Sequence, residues 1–243
     1  NCAGNPISSL EPLRGLPLGT LRCEACGITS LEPLQGAPLT VLNCSENRLG
    51  GDGLAPLKGM RLTWFACMHT GVSDLAPLEG MPLTWLFCDG NEIEDFEPLR
   101  ELPLTELSCR GNRVVNLDPL KGGKLNTLRA DDNLITSLEP LRGLPLTTFS
   151  CCWNRVTSLE PLRGMPVSCL LCGGNQLKEI GAFIKNPTKV FFFDCDTIPT
   201  EELEWIHQTW SRDIRFASYV RSIDVLLALR KGDAKRLLSL ASQ

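Results

Sequence analysis

Residues 82–102 read PLTWLFCDGNEIEDFEPLREL, and the placement of Cys88 within them decides the fold. A cysteine between Phe87 and Asp89 could be a metal ligand, a nucleophile, half of a disulfide or a piece of core. Its equivalents elsewhere narrow the choice. Cys2, Cys23, Cys44, Cys67, Cys88, Cys109, Ala130, Cys151 and Cys172 follow one another at intervals of 21 residues, with one interval of 23. Around each lies the same frame, LTxLxCxxNxIxxLEPLxGLP, so the chain is an array of short units that stack to share one core.

Within each unit the residues predict their own local structure. In the segment around Cys88, strand alternation sends Leu86 and Cys88 to one face and Trp85, Phe87 and Asp89 to the other, so the cysteine points into the stack. Three residues after the cysteine slot comes Asn5, Asn47, Asn91, Asn112, Asn133, Asn154 or Asn175, with Cys26, Thr70 and Asp196 in the same register elsewhere. On the return side Glu11-Pro12-Leu13 recurs with its equivalents starting at Glu32, Glu97, Asp118, Glu139 and Glu160. Proline suits the start of a helical turn because its φ is preset and its missing N–H would be unpaired there anyway. Gly15, Gly36, Gly59, Gly80, Gly143 and Gly164 end that turn. A unit of 21 residues leaves room for one 3₁₀-like turn rather than a full helix. The longer interval comes from NRLGGDGLAPL (47–57), read as a local bulge, and PTKVFFFDCDTI (187–198) predicts a final unit with Phe193 in the cysteine slot.

LTWLFCDGNEI (83–93), LTELSCRGNRV (104–114) and LTVLNCSENRL (39–49) resemble the leucine-rich-repeat consensus LxxLxLxxNxL, with cysteine replacing its second strand leucine. The LEPLRGLPLT segments are similar to repeats of bacterial proteins of the planctomycete type, where such arrays often accompany a kinase domain. The resemblance covers about residues 1–198. It implies an α/β repeat solenoid, a leucine-rich-repeat horseshoe with a parallel concave sheet and 3₁₀-like convex turns, whose asparagines stack inside and bond the backbone exposed at each turn. From Thr200 the spacing becomes helical. TEELEWIHQTW opens with a threonine cap and an acidic first turn, and places Leu203, Ile206 and Trp210 on one face. A second helix is expected over about 213–230, carrying Phe216, Val220, Ile223, Leu226 and Leu227, and a short third one capped by Asp233. Residues 199–243 thus read as a C-terminal helical cap over the last strand's open edge, which repeat arrays require. At the other end Asn1-Cys2-Ala3-Gly4-Asn5 is already in mid-repeat register, so an upstream repeat or domain is expected in the parent chain.

Composition removes several function classes. A formal net charge of -4 gives no electrostatic reason to expect nucleic acid or an anionic membrane as partner. No run of 18 apolar residues exists. Cys23-Glu24-Ala25-Cys26 and Cys169-Leu170-Leu171-Cys172 spell CxxC, but in the second pair the register turns the two cysteines to opposite faces, and in the first it places them in the strand and asparagine slots, so neither metal nor other cofactor is expected. Neighbouring ladder cysteines lie about 4.8 Å apart, within reach of a bridge, yet point the same way. Distance alone does not exclude bridges, but pairing successive rungs would be strained and arbitrary, and reduced thiols in a cytoplasmic setting are the expectation. Cys152, one past the ladder, should face outward beside Trp153, either as a reactive thiol or as a tolerated small surface residue.

Catalysis finds little support. The chain has two histidines, His69 just after a strand and His207 in the first predicted helix, and neither has a nucleophile arranged beside it. Kinase motifs and a phosphate-binding loop are absent from the sequence. Bacterial leucine-rich-repeat ubiquitin ligases append a helical domain with a catalytic cysteine, whereas Cys195 here precedes the helices, still within the last repeat.

What remains free to vary is the outward strand face. One column reads Thr20, Val41, Trp64, Trp85, Glu106, Thr127, Thr148 and Cys169, and the next Arg22, Asn43, Ala66, Phe87, Ser108, Arg129, Ser150 and Leu171. Trp64 and Trp85 are equivalent on adjacent strands, so their rings should lie side by side, with Phe87 and Met68 in the same patch. Arg110, Arg129, Asp131 and Asp132 would form a mixed-charge flank, and Trp153 a separate anchor. Large exposed aromatics are the usual hot spots of protein interfaces, although neighbouring rings also pair simply to stabilise a sheet. The expectation is a non-catalytic module recognising a protein or peptide on its concave face. The alternatives are a regulatory or docking arm of a larger enzyme such as a kinase, and a purely structural spacer.

Overall fold

A computed structural model describes residues 1–178, 190–192, 200–211 and 217–241. Among these residues nine three-residue strands form one parallel sheet in sequential order. They are β1 (Thr20–Arg22), β2 (Val41–Asn43), β3 (Trp64–Ala66), β4 (Trp85–Phe87), β5 (Glu106–Ser108), β6 (Thr127–Arg129), β7 (Thr148–Ser150), β8 (Cys169–Leu171) and β9 (Val190–Phe192). The register is that of the repeat: Thr20 pairs with Val41, Trp64 with Trp85, and Glu106 with Thr127. It survives the two inserted residues, since Val41 still pairs with Trp64. The extra length is absorbed between strand and turn.

Opposite the sheet, eight 3₁₀ turns line the convex side, from Glu11–Leu13 to Glu160–Leu162, each with proline in its first positions. Ala55–Leu57 and Ala76–Leu78 form the same turn without the acidic residue. A side chain two positions upstream receives the turn's first N–H in most repeats: Ser137 Oγ accepts from Glu139 at 3.2 Å and Asp95 Oδ1 from Glu97 at 2.8 Å. Four turns add an exposed Arg–Glu pair three residues apart, such as Arg142 with Glu139 at 2.9 Å.

Between sheet and turns runs one continuous buried core. The middle strand residues Leu42, Phe65, Leu86, Leu107, Leu128, Phe149 and Leu170 are fully buried, as are the turn leucines Leu34, Leu57 and Leu141. Burying one such side chain contributes about 2 kcal/mol. The cysteines sit in the same layer, Cys44, Cys67, Cys88, Cys109 and Cys151 all at 0% exposure. Each ladder cysteine N–H bonds the carbonyl of the third residue of the next strand, as Cys88 does to Ser108 at 2.8 Å. Its Sγ turns to that same oxygen at 3.3 Å. Cysteine thus fills a leucine slot as a small hydrophobe with a weak donor aimed at the neighbouring strand.

The asparagines form a second internal ladder. Asn112 donates through Nδ2 to the carbonyls of Cys88, Cys109 and Arg110, and its Oδ1 accepts the Ile93 N–H. One side chain therefore satisfies the turn of its own repeat and ties it to the repeat before. Thr70 keeps one such bond, from Oγ1 to the Cys67 carbonyl at 2.8 Å, and Cys26 a weaker one to Cys2 at 3.0 Å. Asp196 and Phe193, assigned from sequence to the last repeat's slots, lie outside the described residues, as does Cys195.

Three helices follow, α1 (Thr200–Trp210), α2 (Ala217–Arg230) and α3 (Ala234–Ala241). Leu203, Ile223 and Leu227 belong to the same buried core as the repeat leucines. Asp233 Oδ1 accepts the Arg236 N–H at 2.9 Å, the cap expected for the third helix. The start expected for the second helix, residues 213–216, lies outside the described residues, as do the side chains of Ile206, Trp210 and Val220.

Candidate functional site

The sheet's outward face carries four columns of side chains, and the repeat decides what each can do. The outermost is a hydroxyl ladder that borders the strands. Thr63 Oγ1 donates to the Thr40 carbonyl at 3.2 Å and Thr84 Oγ1 to Thr63 at 3.0 Å, with Thr40, Thr105, Thr147 and Ser168 doing the same in their repeats. These threonines are spoken for by the scaffold.

The next two columns hold the predicted aromatic patch. Trp64 and Trp85 are paired residues on β3 and β4. The ring contact, however, runs along the diagonal: Trp64 meets Phe87 with centroids 5.4 Å apart and planes at 44°. The side-by-side stacking of Trp64 and Trp85 expected from register gives way to this pair, because a diagonal neighbour is also within reach of an aromatic ring. Trp85 makes no ring contact among the described residues and is 46% exposed. Trp64, Phe87 and Met68 are half-buried.

The charged flank is real but largely committed. Arg129 pairs with Glu106 across β6 and β5. Arg110 Nε meets Asp131 Oδ2 at 2.9 Å. Asp131 Oδ1 accepts from Ser150 Oγ and, at 2.8 Å, from the Cys152 N–H. Asp89 repeats the arrangement two units earlier, accepting from Ser108 Oγ at 2.7 Å and the Arg110 N–H at 2.8 Å. Both serines are buried, so these bonds satisfy polar groups that would otherwise be stranded. Asp131, predicted as a contact residue, is therefore tied into the scaffold, while the guanidinium of Arg110 stays exposed above it.

The fourth column was not legible as a unit beforehand. Two residues after each ladder position the backbone is left-handed: Gly4, Ala25, Glu46, His69, Gly90, Gly111, Asp132, Trp153 and Gly174 all have φ between 52° and 69°. From Gly4 to Trp153 the N–H of this residue bonds the next repeat, as Trp153 does to the Gly173 carbonyl at 2.8 Å, which holds the conformation. A left-handed φ is easy for glycine and costs a bulky residue about 1–2 kcal/mol. The four glycines in the column were the signal that sequence offered. Trp153 nevertheless sits there, 69% exposed. Its indole lies over Gly174, where an added Cβ would come within 2.6 Å of the ring. His69 lies over Gly90 in the same way, with no nucleophile beside it among its described contacts.

Cys152, expected to face fully outward, is half-buried, and Cys169 likewise. Burial and the neighbouring Asp131 carboxylate push the Cys152 thiol upward, which disfavours the reactive thiolate. Among the described residues no group of three or more His, Cys, Asp or Glu side chains is placed to hold a metal ion.

A parallel one-strand-per-turn sheet, an internal asparagine ladder and convex 3₁₀ turns define a leucine-rich-repeat solenoid. The solved structures it is similar to are of that class. Internalin C2 from Listeria monocytogenes is 32% identical over 64% of this chain and 71% of its own, with a TM-score of 0.58. A second Listeria monocytogenes internalin, internalin F, is 24% identical over 82% of this chain and 68% of its own, at 0.65. The functional domain of InlJ from the same organism, described as including a cysteine ladder, is 26% identical over 78% of this chain and 51% of its own, at 0.54. No protein-family model matches the chain, and no curated protein does. The chain belongs to the bacterial leucine-rich-repeat proteins, and its fold is that of a protein-interaction repeat module.

Proposed function

We propose that the chain is a non-catalytic recognition module that binds a protein or peptide partner across the concave face, with Trp85 and Trp153 as apolar anchors. One observation carries this reading: two tryptophans are exposed to 46% and 69%, Trp85 on an outward strand position and Trp153 on the left-handed column beside the strands, where its indole rests on Gly174 and leaves its other side open. They lie three repeats apart, about 14 Å along the sheet. Between them the Arg129–Glu106 and Arg110–Asp131 pairs form a polar belt. Beside the first anchor, Trp64 and Phe87 pack on each other. Large exposed aromatic side chains are enriched among the hot spots of protein interfaces, and the ion pairs beside them are satisfied within the chain.

A photo-crosslinking amino acid placed at Thr127, between the anchors, tests the face directly. Covalent adducts from Thr127 and none from Ser137 on the convex side are expected. Adducts from Ser137 alone would move the binding site off the sheet.

The ladder thiols are read as reduced, in keeping with a cytoplasmic setting. Alkylation of the denatured chain followed by intact mass should label every cysteine; a mass short by pairs of alkyl groups would contradict it.

A further inference from the structure

The repeat frame is broken on the convex side in two consecutive units, and the two breaks face one another. The residue that ends the 3₁₀ turn is glycine at Gly15, Gly36, Gly59, Gly80, Gly122, Gly143 and Gly164, with φ between 71° and 80°. In the remaining unit it is Glu101, which holds the same left-handed conformation at φ 66°. The position after it carries an apolar side chain in Leu16, Ala37, Met60, Met81, Leu102, Leu144 and Met165. In one unit it is Gly123, followed by Lys124 where most repeats have proline. Gly123 is not left-handed, so its backbone does not require glycine.

These departures all line a notch of about 360 Å³ between the units. That is the size of a small-molecule site. Its base is formed by the largely buried Leu102, Leu104, Leu120 and Leu125, with polar groups exposed alongside them. Its rim carries Lys121 and Lys124, both exposed and without an ion pair among the described residues, and the exposed Glu101, while Arg100 is occupied by Glu97 at 2.5 Å, so the two lysines outweigh one opposing carboxylate. Leucine at Gly123 would extend the apolar ladder as Leu102 and Leu144 do, so the gap forgoes burial that the frame makes available. A strained glutamate, a missing apolar side chain and two uncommitted lysines converging on one cavity are not what stacking alone selects.

We propose that this convex notch binds a small amphiphilic anion, its apolar body against the leucine floor and its carboxylate or similar group between Lys121 and Lys124. The probe is octanoate, titrated into isotopically labelled protein and followed by amide chemical shifts. Shifts confined to residues around Gly122, Gly123 and Lys124 are expected. The double variant Gly123→Leu, Lys124→Pro restores the repeat frame and should weaken binding at least about tenfold. An added Cβ at Gly123 would lie 3.1 Å from the Leu120 carbonyl, a tight approach, and thermal melting checks that the variant folds. Lys121→Glu with Lys124→Glu keeps the cavity and should weaken octanoate by a similar factor, without affecting octanol. No shifts in the wild type, undiminished binding in the filled variant, or octanol binding as tightly as octanoate would each overturn the proposal.

Discussion

Asn112 makes bonds to three carbonyls and one N–H, all in the buried turn. Asn112→Ala strands those backbone groups, and we expect a loss of about 3 kcal/mol in denaturant unfolding, against less than 1 kcal/mol for an exposed convex residue such as Val115. The thiols make a pH prediction. Burial raises Cys23 to about 12 and holds Cys44, Cys67, Cys109 and Cys151 well above the usual 9.0. Above about pH 9 the unfolded chain releases thiol protons that the folded chain retains, so stability is whole below that pH and falls as pH rises toward the folded values. Urea midpoints measured from pH 8 to pH 11 should decline, and Cys109→Ala, which copies the natural Ala130 of the same slot, should flatten the decline. Trp153 was visible in the sequence as an aromatic but not as a strained one, because a left-handed φ is a property of the whole column. Asp131 misled for a related reason: its type suggests a free charge, and only the neighbouring repeat's Ser150 reveals its structural bonds. Trp153→Gly should leave stability unchanged or raise it by about 1 kcal/mol, since glycine already serves at Gly174 and Gly90. A clear fall in melting temperature would instead make Trp153 a structural residue.

Strand register and convex turns were legible because each is specified many times over by Leu, Cys, Asn and Pro at fixed spacing. The diagonal Trp64–Phe87 contact was not, since backbone pairing fixes which residues are neighbours but not which rotamers they choose. The turn caps also went unread: Ser137, Ser158 and Asp95 look like ordinary polar linkers until their bonds to the following turn are seen. Removing one, as in Ser137→Ala, should cost about 1 kcal/mol, measurable in urea. The helices answer to a different test. Leu203, Ile223 and Leu227 share the repeats' core, so a chain ending before Thr200 should expose apolar surface, bind a hydrophobic dye and lose soluble yield. An unchanged melt of the truncated chain would mean that the helices contribute no cap.

The molecule as a whole separates scaffold from specificity. Thiols, asparagines, threonines and two aspartates bond one repeat to the next. Few outward side chains are left uncommitted, and the largest are Trp85 and Trp153. The cysteine that dominates residues 82–102 belongs to the scaffold, and Trp85, three residues before it, belongs to the surface. The central claim is that this surface binds a partner through those two rings. Its most direct test is the affinity of a partner crosslinked from Thr127, measured for the wild type and for Trp85→Ala with Trp153→Gly, alongside thermal melting of both. The account predicts a loss of at least about a hundredfold, or roughly 2.7 kcal/mol, with melting unchanged. Wild-type affinity in the double variant would contradict it.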